Sequence, residues 1–198
     1  MENGKWEETF SMRIIAGEFR SRQLLAPETD ATRPITDRAK QSLFDILQPH
    51  IPDARVYDCF AGTGSMGLEC LSRGAAHVTF FEAERSAAAL LRKNIDSLRV
   101  RDRSNIIDRD IFNWFDTARA KGQVDLVFLD PPYRFLTERP DDLARLAATL
   151  ATAHLSPEGI LIFRHDAGDA LALPPLATFD ERMYAGMKIE LMRRVPSN

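Results

Sequence analysis

Asp130-Pro131-Pro132-Tyr133 sets a carboxylate, two rigid imino residues and an aromatic ring in four consecutive positions. It follows Val124-Asp125-Leu126-Val127-Phe128-Leu129, an apolar run with the length and β-branched character of a buried strand. Prolines at such a point end the ladder and fix the backbone, so the Asp130 side chain and the nearby carbonyls face the space beyond the strand. In open α/β sheets that space is the ligand crevice. A carboxylate and rigid carbonyls accept hydrogen bonds from an NH₂ group, and Tyr133 offers a flat face to a planar ring. This is equipment for holding the exocyclic amine of a nucleobase.

A second chemical cluster lies upstream in Asp58-Cys59-Phe60-Ala61-Gly62-Thr63-Gly64-Ser65-Met66-Gly67. Gly62, Gly64 and Gly67 satisfy G-x-G-x-x-G after a strand, and Glu82 stands about twenty residues further on, placed to accept from ribose hydroxyls. The pattern points to an adenosine-type cofactor, either NAD or S-adenosylmethionine. A pyrophosphate needs helix-terminus amides and no nearby anion, and Asp58 at the lip of the loop opposes it. The ammonium and sulfonium of S-adenosylmethionine make Asp58 an attractive partner, so electrostatics favours that cofactor. Asp110 is expected either to take the adenine amino group or to cap the next helix, and the two roles are compatible.

These groups need a scaffold. From Arg55 onward the chain alternates: strand Val56–Phe60, helix Ser65–Arg73, strand His77–Glu82, and helix Ser86–Leu98 with Ala87, Leu90, Leu91, Ile95 and Leu98 inward. Strand Ser104–Asp108, a short helix carrying Trp114 and Phe115, strand Val124–Leu129, helix Leu143–Ala153 and strand Gly159–Phe163 follow. Residues 177–195 alternate around Ala185-Gly186 and read as an antiparallel pair. The sum is a doubly wound, mostly parallel seven-stranded α/β sheet. Upstream, Arg13–Ala16 and Arg22–Leu25 flank Gly17–Ser21 as a small β-hairpin extension. Pro27–Pro34 is an expected linker, and a helix with Ala39, Leu43, Ile46 and Leu47 inward starts at Thr36 or Asp37 and closes at Pro49 and Pro52. The expected divisions are a flexible tail at 1–11, a hairpin and linker at 12–35, and the α/β domain at 36–198.

Composition narrows the class. A chain of 198 residues with 44% hydrophobic and 28% charged residues suits one soluble domain. Its net charge of −3 means that any nucleic-acid surface must be local. Cys59 and Cys70 form no C-x-x-C pair, and His50, His77, His154 and His165 show no metal-ligand spacing. The polar, acidic start at Met1–Glu8 is no signal peptide, and no run reaches a membrane span. A cytoplasmic monomer without metal or membrane attachment is expected.

With these residues in view, the chain resembles class I amino-methyltransferases, and more narrowly the RsmD family. The resemblance covers residues 12–193. Its more specific parts are Met12-Arg13-Ile14-Ile15-Ala16-Gly17 with Arg20 and Arg22, and Thr32-Arg33-Pro34-Ile35-Thr36-Asp37-Arg38. It implies a Rossmann-like fold and methyl transfer from S-adenosylmethionine to guanine N2 of small-subunit (16S) ribosomal RNA, free or in a partly assembled subunit. Asp130, Pro131, Pro132 and Tyr133 become the implied catalytic set. Asp58, Phe60, Gly62, Gly64, Glu82, Asp110 and Ile111 become the cofactor contacts. Arg13, Arg20, Arg22, Arg33 and Arg38 are expected to hold RNA, unless they pair with Glu18, Glu28 and Asp37 instead. Thr32, Arg33 and Pro34 could alternatively line the cofactor pocket. As an element outside the catalytic core, the hairpin is expected to be dispensable for cofactor binding. Two places depart from the family pattern: the acidic extension at residues 1–11, and Arg164-His165-Asp166 where Glu-His is expected after the fifth strand.

Three other functions compete. A DNA adenine or cytosine amino-methyltransferase would share Asp130–Tyr133 but needs a target-recognition insertion. A non-catalytic RNA-binding assembly factor would not need Asp130–Tyr133 intact. An NAD-dependent dehydrogenase would need a hydride-transfer acid/base and conflicts with Asp58.

Overall fold

The computed structural model describes residues 12–26, 35–117, 123–184 and 186–195. Helix α1 spans Asp37–Leu47, and the Thr36 hydroxyl caps it by accepting from the Ala39 amide at 3.2 Å. It buries Ala39, Lys40, Leu43, Phe44 and Leu47, then tightens into a 3₁₀ turn at Gln48–His50 containing Pro49. Phe44 and Lys40 belong to the inward face, and Ile46 is only half-buried. The alternating units then follow: β1 (Arg55–Cys59), α2 (Ser65–Ser72), β2 (His77–Phe81), α3 (Arg85–Leu98), β3 (Ser104–Ile107), α4 (Ile111–Thr117) and β4 (Val124–Leu129). After these come α5 (Phe135–Glu138), α6 (Pro140–Thr149) with a π-turn at Leu150–His154, β5 (Leu155–Asp166), β6 (Leu176–Tyr184) and β7 (Met187–Arg194).

The strands form one seven-stranded sheet in the order β3-β2-β1-β4-β5-β7-β6. β1 to β5 run parallel, and β7 inserts antiparallel between β5 and β6. The winding reverses between β1 and β4, where Cys59 is in register with Leu129. That pairing sets the loop after β1 beside the loop after β4, at the switch point where doubly wound sheets bind ligands. Side chains alternate across the sheet: Val56 and Phe128 face one core, while Tyr57, Val127 and Leu129 face the other.

Two readings of the elements need correction. The inward face of α3 is Ala88, Leu91, Asn94, Ile95 and Leu98, with Ala87 and Leu90 only half-buried. Asn94 is a buried polar residue on this face, and its side-chain amide donates to the carbonyls of Thr63 (3.0 Å) and Leu25 (3.2 Å). Strand β5 is twelve residues long and shifts register between Val124 and Leu126, so the segment before Gly159 is strand and not loop.

The hairpin forms, with an antiparallel bridge between Arg13 and Gln23 and hydrogen bonds from Ile14 N to Arg22 O and from Leu24 N to Met12 O. Its interior is not separate from the core. Ile14 and Leu24 are buried in the same cluster as Leu43, Val56 and Leu68. Gly17 takes φ +82°, and a Cβ there would lie 1.8 Å from the Ser72 carbonyl oxygen, so the hairpin presses onto the end of α2. The Leu25 amide donates to Asn94, and the Thr63 hydroxyl approaches the Met12 sulfur at 3.9 Å, which ties the hairpin to the glycine loop. Dispensability for cofactor binding therefore does not follow from its position. The tail at 1–11, and Thr32, Arg33 and Pro34 in the linker, lie outside the described residues.

Candidate active site

Strand β1 ends at Cys59, and Phe60 then turns at φ +62°, a strained conformation for a residue with a bulky side chain. Gly62 and Gly64 also take positive φ and lead into α2. Gly67, in the first turns of α2, lies against β2: a Cβ there would come within 2.4 Å of the Phe80 ring. The three glycines thus serve two turns and one close helix–strand approach.

Asp58 is buried beneath the loop and not at its lip, and its Oδ2 accepts from the Gly67 amide at 2.9 Å. Glu82, just past β2, accepts from the Gly62 amide at 2.8 Å and from the Glu84 amide at 2.7 Å. One amide of the loop and one of the first turn of α2 are therefore already held by carboxylates, which line the place where a pyrophosphate would need free N–H groups. Burial, with the charges of Asp130 and Glu82 adding to it and the Gly67 amide opposing, pushes the Asp58 carboxyl up to about 7. Burial likewise raises Glu82, against the pull of the Glu84 and Gly62 amides. The donor set suits a cationic adenosine cofactor.

On the other side of the switch point, Asp130 leaves β4 with its side chain about one-fifth exposed. Arg164 on β5 grips it from both sides: Nε donates to Oδ1 at 2.6 Å, and Nη2 pairs with Oδ2. Pro131 is buried, while Pro132 and Tyr133 are half-buried. The Pro132 carbonyl accepts from Phe135 N and the Tyr133 carbonyl from Leu136 N, the first hydrogen bonds leading into α5.

An aromatic wall completes the crevice. The Phe60 ring lies 5.9 Å from those of Phe112 and Phe135, and the Arg139 guanidinium sits 4.0 Å over Phe112. Asp110 caps α4 through the Asn113 amide at 2.9 Å and keeps its other oxygen 3.7 Å from Arg139. Ile111 behind it is buried. Sequence reasoning missed Phe112, Phe135, Arg139 and Arg164. Phe135 and Arg139 follow Asp130–Tyr133 closely enough to be suspected, but Arg164 is thirty-four positions away and only the strand order brings it in.

With the carboxylate-lined loop and Asp130 facing one another across β1 and β4, comparison with known proteins becomes specific. The family model described as "Conserved hypothetical protein 95" matches residues 12–193. The chain is an RsmD-family protein. Ribosomal RNA small subunit methyltransferase D of Haemophilus influenzae is 38% identical over 125 residues, covering 63% of this chain and 65% of the relative. The protein of the same name from Escherichia coli K12 is 39% identical over 123 residues, covering 62% of this chain and 61% of the relative. The aligned part thus spans less than two thirds of either relative. The solved structure of the Escherichia coli protein yhhF superposes with a TM-score of 0.80 at 28% identity, over 94% of this chain and 99% of that one.

The basic residues of this RsmD-family chain are not equivalent. Arg13 is half-exposed and paired with Asp37 at 2.8 Å. Arg22 donates to the Ser97 carbonyl, and Glu18 is paired with Arg103. Arg20 and Arg38 have no carboxylate partner among the described residues. Arg38 lines an open cavity of about 560 Å³ together with Gln41, Ser42, Asp45, Ile46 and Arg182. Arg33 lies outside the described residues. Among the described residues no helix is long and apolar enough to cross a membrane.

Proposed function

We propose that this protein transfers a methyl group from S-adenosylmethionine to the exocyclic N2 amine of a guanine in small-subunit ribosomal RNA. The observation that carries the reading is the meeting of Asp130, at the end of β4, with the carboxylate-lined glycine loop at the end of β1. The names of the relatives support the substrate class. Asp58, Phe60, Gly62, Gly64, Glu82, Asp110 and Ile111 are the groups assigned to the cofactor, which when bound supplies an electrophilic methyl group on a sulfonium. Glu82 has lone pairs left for ribose hydroxyls after accepting from Gly62 and Glu84. Asp110 retains an oxygen for the adenine amino group beside the Phe112 and Arg139 face.

The guanine amine is a poor nucleophile because its lone pair is delocalised into the ring. Asp130 and the Pro131 carbonyl accept its two N–H bonds and hold the nitrogen lone pair along the line of transfer. The acceleration comes from position and fixed charge and not from a covalent intermediate. Tyr133 stacks on the base drawn from its helix, offsetting part of an unstacking cost of a few kcal/mol. Arg13, Arg20, Arg22, Arg33 and Arg38 hold RNA phosphates, with Arg20 and Arg38 least committed to other partners. The reaction belongs in the cytoplasm, on free ribosomal RNA or a partly assembled small subunit.

The direct test incubates the protein with methyl-labelled S-adenosylmethionine and, separately, small-subunit ribosomal RNA, small-subunit particles stripped of their methyl groups, and duplex DNA. Label in N2-methylguanosine after nucleoside digestion is expected from an RNA substrate and none from DNA. Label in DNA alone, or in a different nucleoside, defeats the reading.

Cofactor binding should also depend on pH. Asp58 holds its proton up to about pH 7 in the cofactor-free protein. A cation arriving beside it favours the ionised form, so binding releases a proton at lower pH. Affinity is expected to be about tenfold weaker at pH 6 than on the plateau above pH 8. Calorimetry in two buffers of different ionisation heat reads that proton directly. Affinity independent of pH between 5.5 and 8 would show that Asp58 does not face the bound cation.

A further inference from the structure

Arg164 has no part in the chemistry described so far, yet it makes the closest contacts in the crevice. Its Nε reaches Asp130 Oδ1 at 2.6 Å, Nη2 pairs with Oδ2, and Nη1 lies 3.7 Å from the Met187 sulfur of β7. Both side chains are largely shielded, at 16% and 19% exposure. The sheet register enforces the meeting, since Leu129 pairs with Phe163 and the next residue of each strand is Asp130 and Arg164.

We propose that Arg164 is a positioning residue, whose planar fork fixes the Asp130 carboxylate in the orientation and charge that the substrate amine requires. A carboxylate has about four lone-pair sites, and the fork occupies two of them. The remaining sites, with the Pro131 carbonyl, suffice for the two N–H bonds of an amine. The groups facing this pair are Asp58 on β1, with Glu82 just past β2 beyond it, and Tyr133 in the same loop as Asp130. Arg164 is the cation that offsets this group of carboxylates. Without it, Asp130 would sit buried beside another carboxylate and take up a proton, converting one of its acceptor oxygens into a donor. Burial already raises the Asp130 carboxyl, and Arg164 is what opposes that rise.

The inference rests on Asp130 as the acceptor of the amine, so the experiment separates the two. The cofactor-free protein, labelled with carboxyl-¹³C aspartate, is titrated by NMR as wild type, Arg164→Gln and Arg164→Lys, and kcat and KM for RNA are measured across pH. Arg164→Gln is expected to raise the Asp130 midpoint by about 1–3 pH units. The acid limb of kcat should move with it, and kcat at neutral pH should fall about a hundred-fold while KM for RNA is little changed. Arg164→Lys should keep the midpoint near that of wild type but recover only part of kcat, because an ammonium cannot hold both oxygens. An unmoved midpoint with unmoved kcat in Arg164→Gln overturns the proposal. So does a higher kcat, which would make the guanidinium a plug over Asp130. A wild-type protein that methylates no RNA removes the functional reading instead, and the titration then judges the Arg164–Asp130 coupling without it.

Discussion

Asp130→Ala is expected to lower methyl transfer by about a thousand-fold, the upper range for removing one fixed electrostatic group from a reacting centre. Both oxygens of the carboxylate are held by Arg164, and on the proposed reading their remaining lone pairs orient the base, a role that alanine cannot fill. The loss should fall on kcat, because on the proposed reading Tyr133 still stacks on the base and the arginines still reach its phosphates. Cofactor affinity should drop only slightly. The released Arg164 guanidinium lies within electrostatic reach of Asp58, and on the proposed reading it would compete with the cofactor cation for that carboxylate. Single-turnover transfer with labelled cofactor, alongside calorimetric binding, separates the two effects. Transfer at the wild-type rate in Asp130→Ala would mean that the amine is held elsewhere in the crevice. Affinity falling as far as kcat would make Asp130 a cofactor ligand.

The parts of this site that were legible in the sequence are those set by local rules. The alternation of strands and helices, the glycines and the carboxylates at strand ends follow from periodicity and from where α/β sheets leave room. Glu82 and Asp110 lie just beyond strand ends, where that reasoning puts them, whereas Asp58 lies deeper, inside β1, where it accepts from the Gly67 amide. What stayed hidden was the burial of charge. A lysine in an amphipathic helix reads as solvent-facing, yet Lys40 is 2% exposed. An arginine at a strand end reads as surface, yet Arg164 closes on Asp130. Such charges are buried only because partners distant in sequence meet them, and strand order decides that meeting. The hairpin shows the same limit. Its strands and turn were readable, while its attachment to α2 depends on side chains more than fifty positions away.

That attachment leads to the largest stability effect to be expected. Glu69 of α2 is fully buried, with Lys40 at 3.0 Å and Arg73 at 2.8 Å, both nearly buried themselves. Its two oxygens also accept from the Ile15 amide at 2.8 Å and the Ala16 amide at 3.0 Å. Burial alone would raise its carboxyl, but Lys40, the Ile15 amide and Arg73 outweigh that and hold it below the ordinary value. A depressed carboxyl contributes stability that is present at neutral pH and lost as pH falls through the folded-state value, so the network is intact under ordinary conditions. Glu69→Ala would leave the buried Lys40 ammonium without its counter-charge and two backbone amides without their acceptor. Breaking a buried pair from one side costs about 3–5 kcal/mol, or about 6–20 °C of melting temperature for a chain of this length. Lys40 also donates to Ser65 at the start of α2, so the glycine loop should loosen and cofactor binding weaken together with stability. Adding Lys40→Met to Glu69→Ala should restore part of the loss, since the uncompensated charge is then gone. Thermal melts of the single and double variants at neutral pH, with calorimetric cofactor binding, read both effects. A Glu69→Ala protein that melts within a degree or two of wild type, and keeps its cofactor affinity, would show that the hairpin and the glycine loop are held without this network.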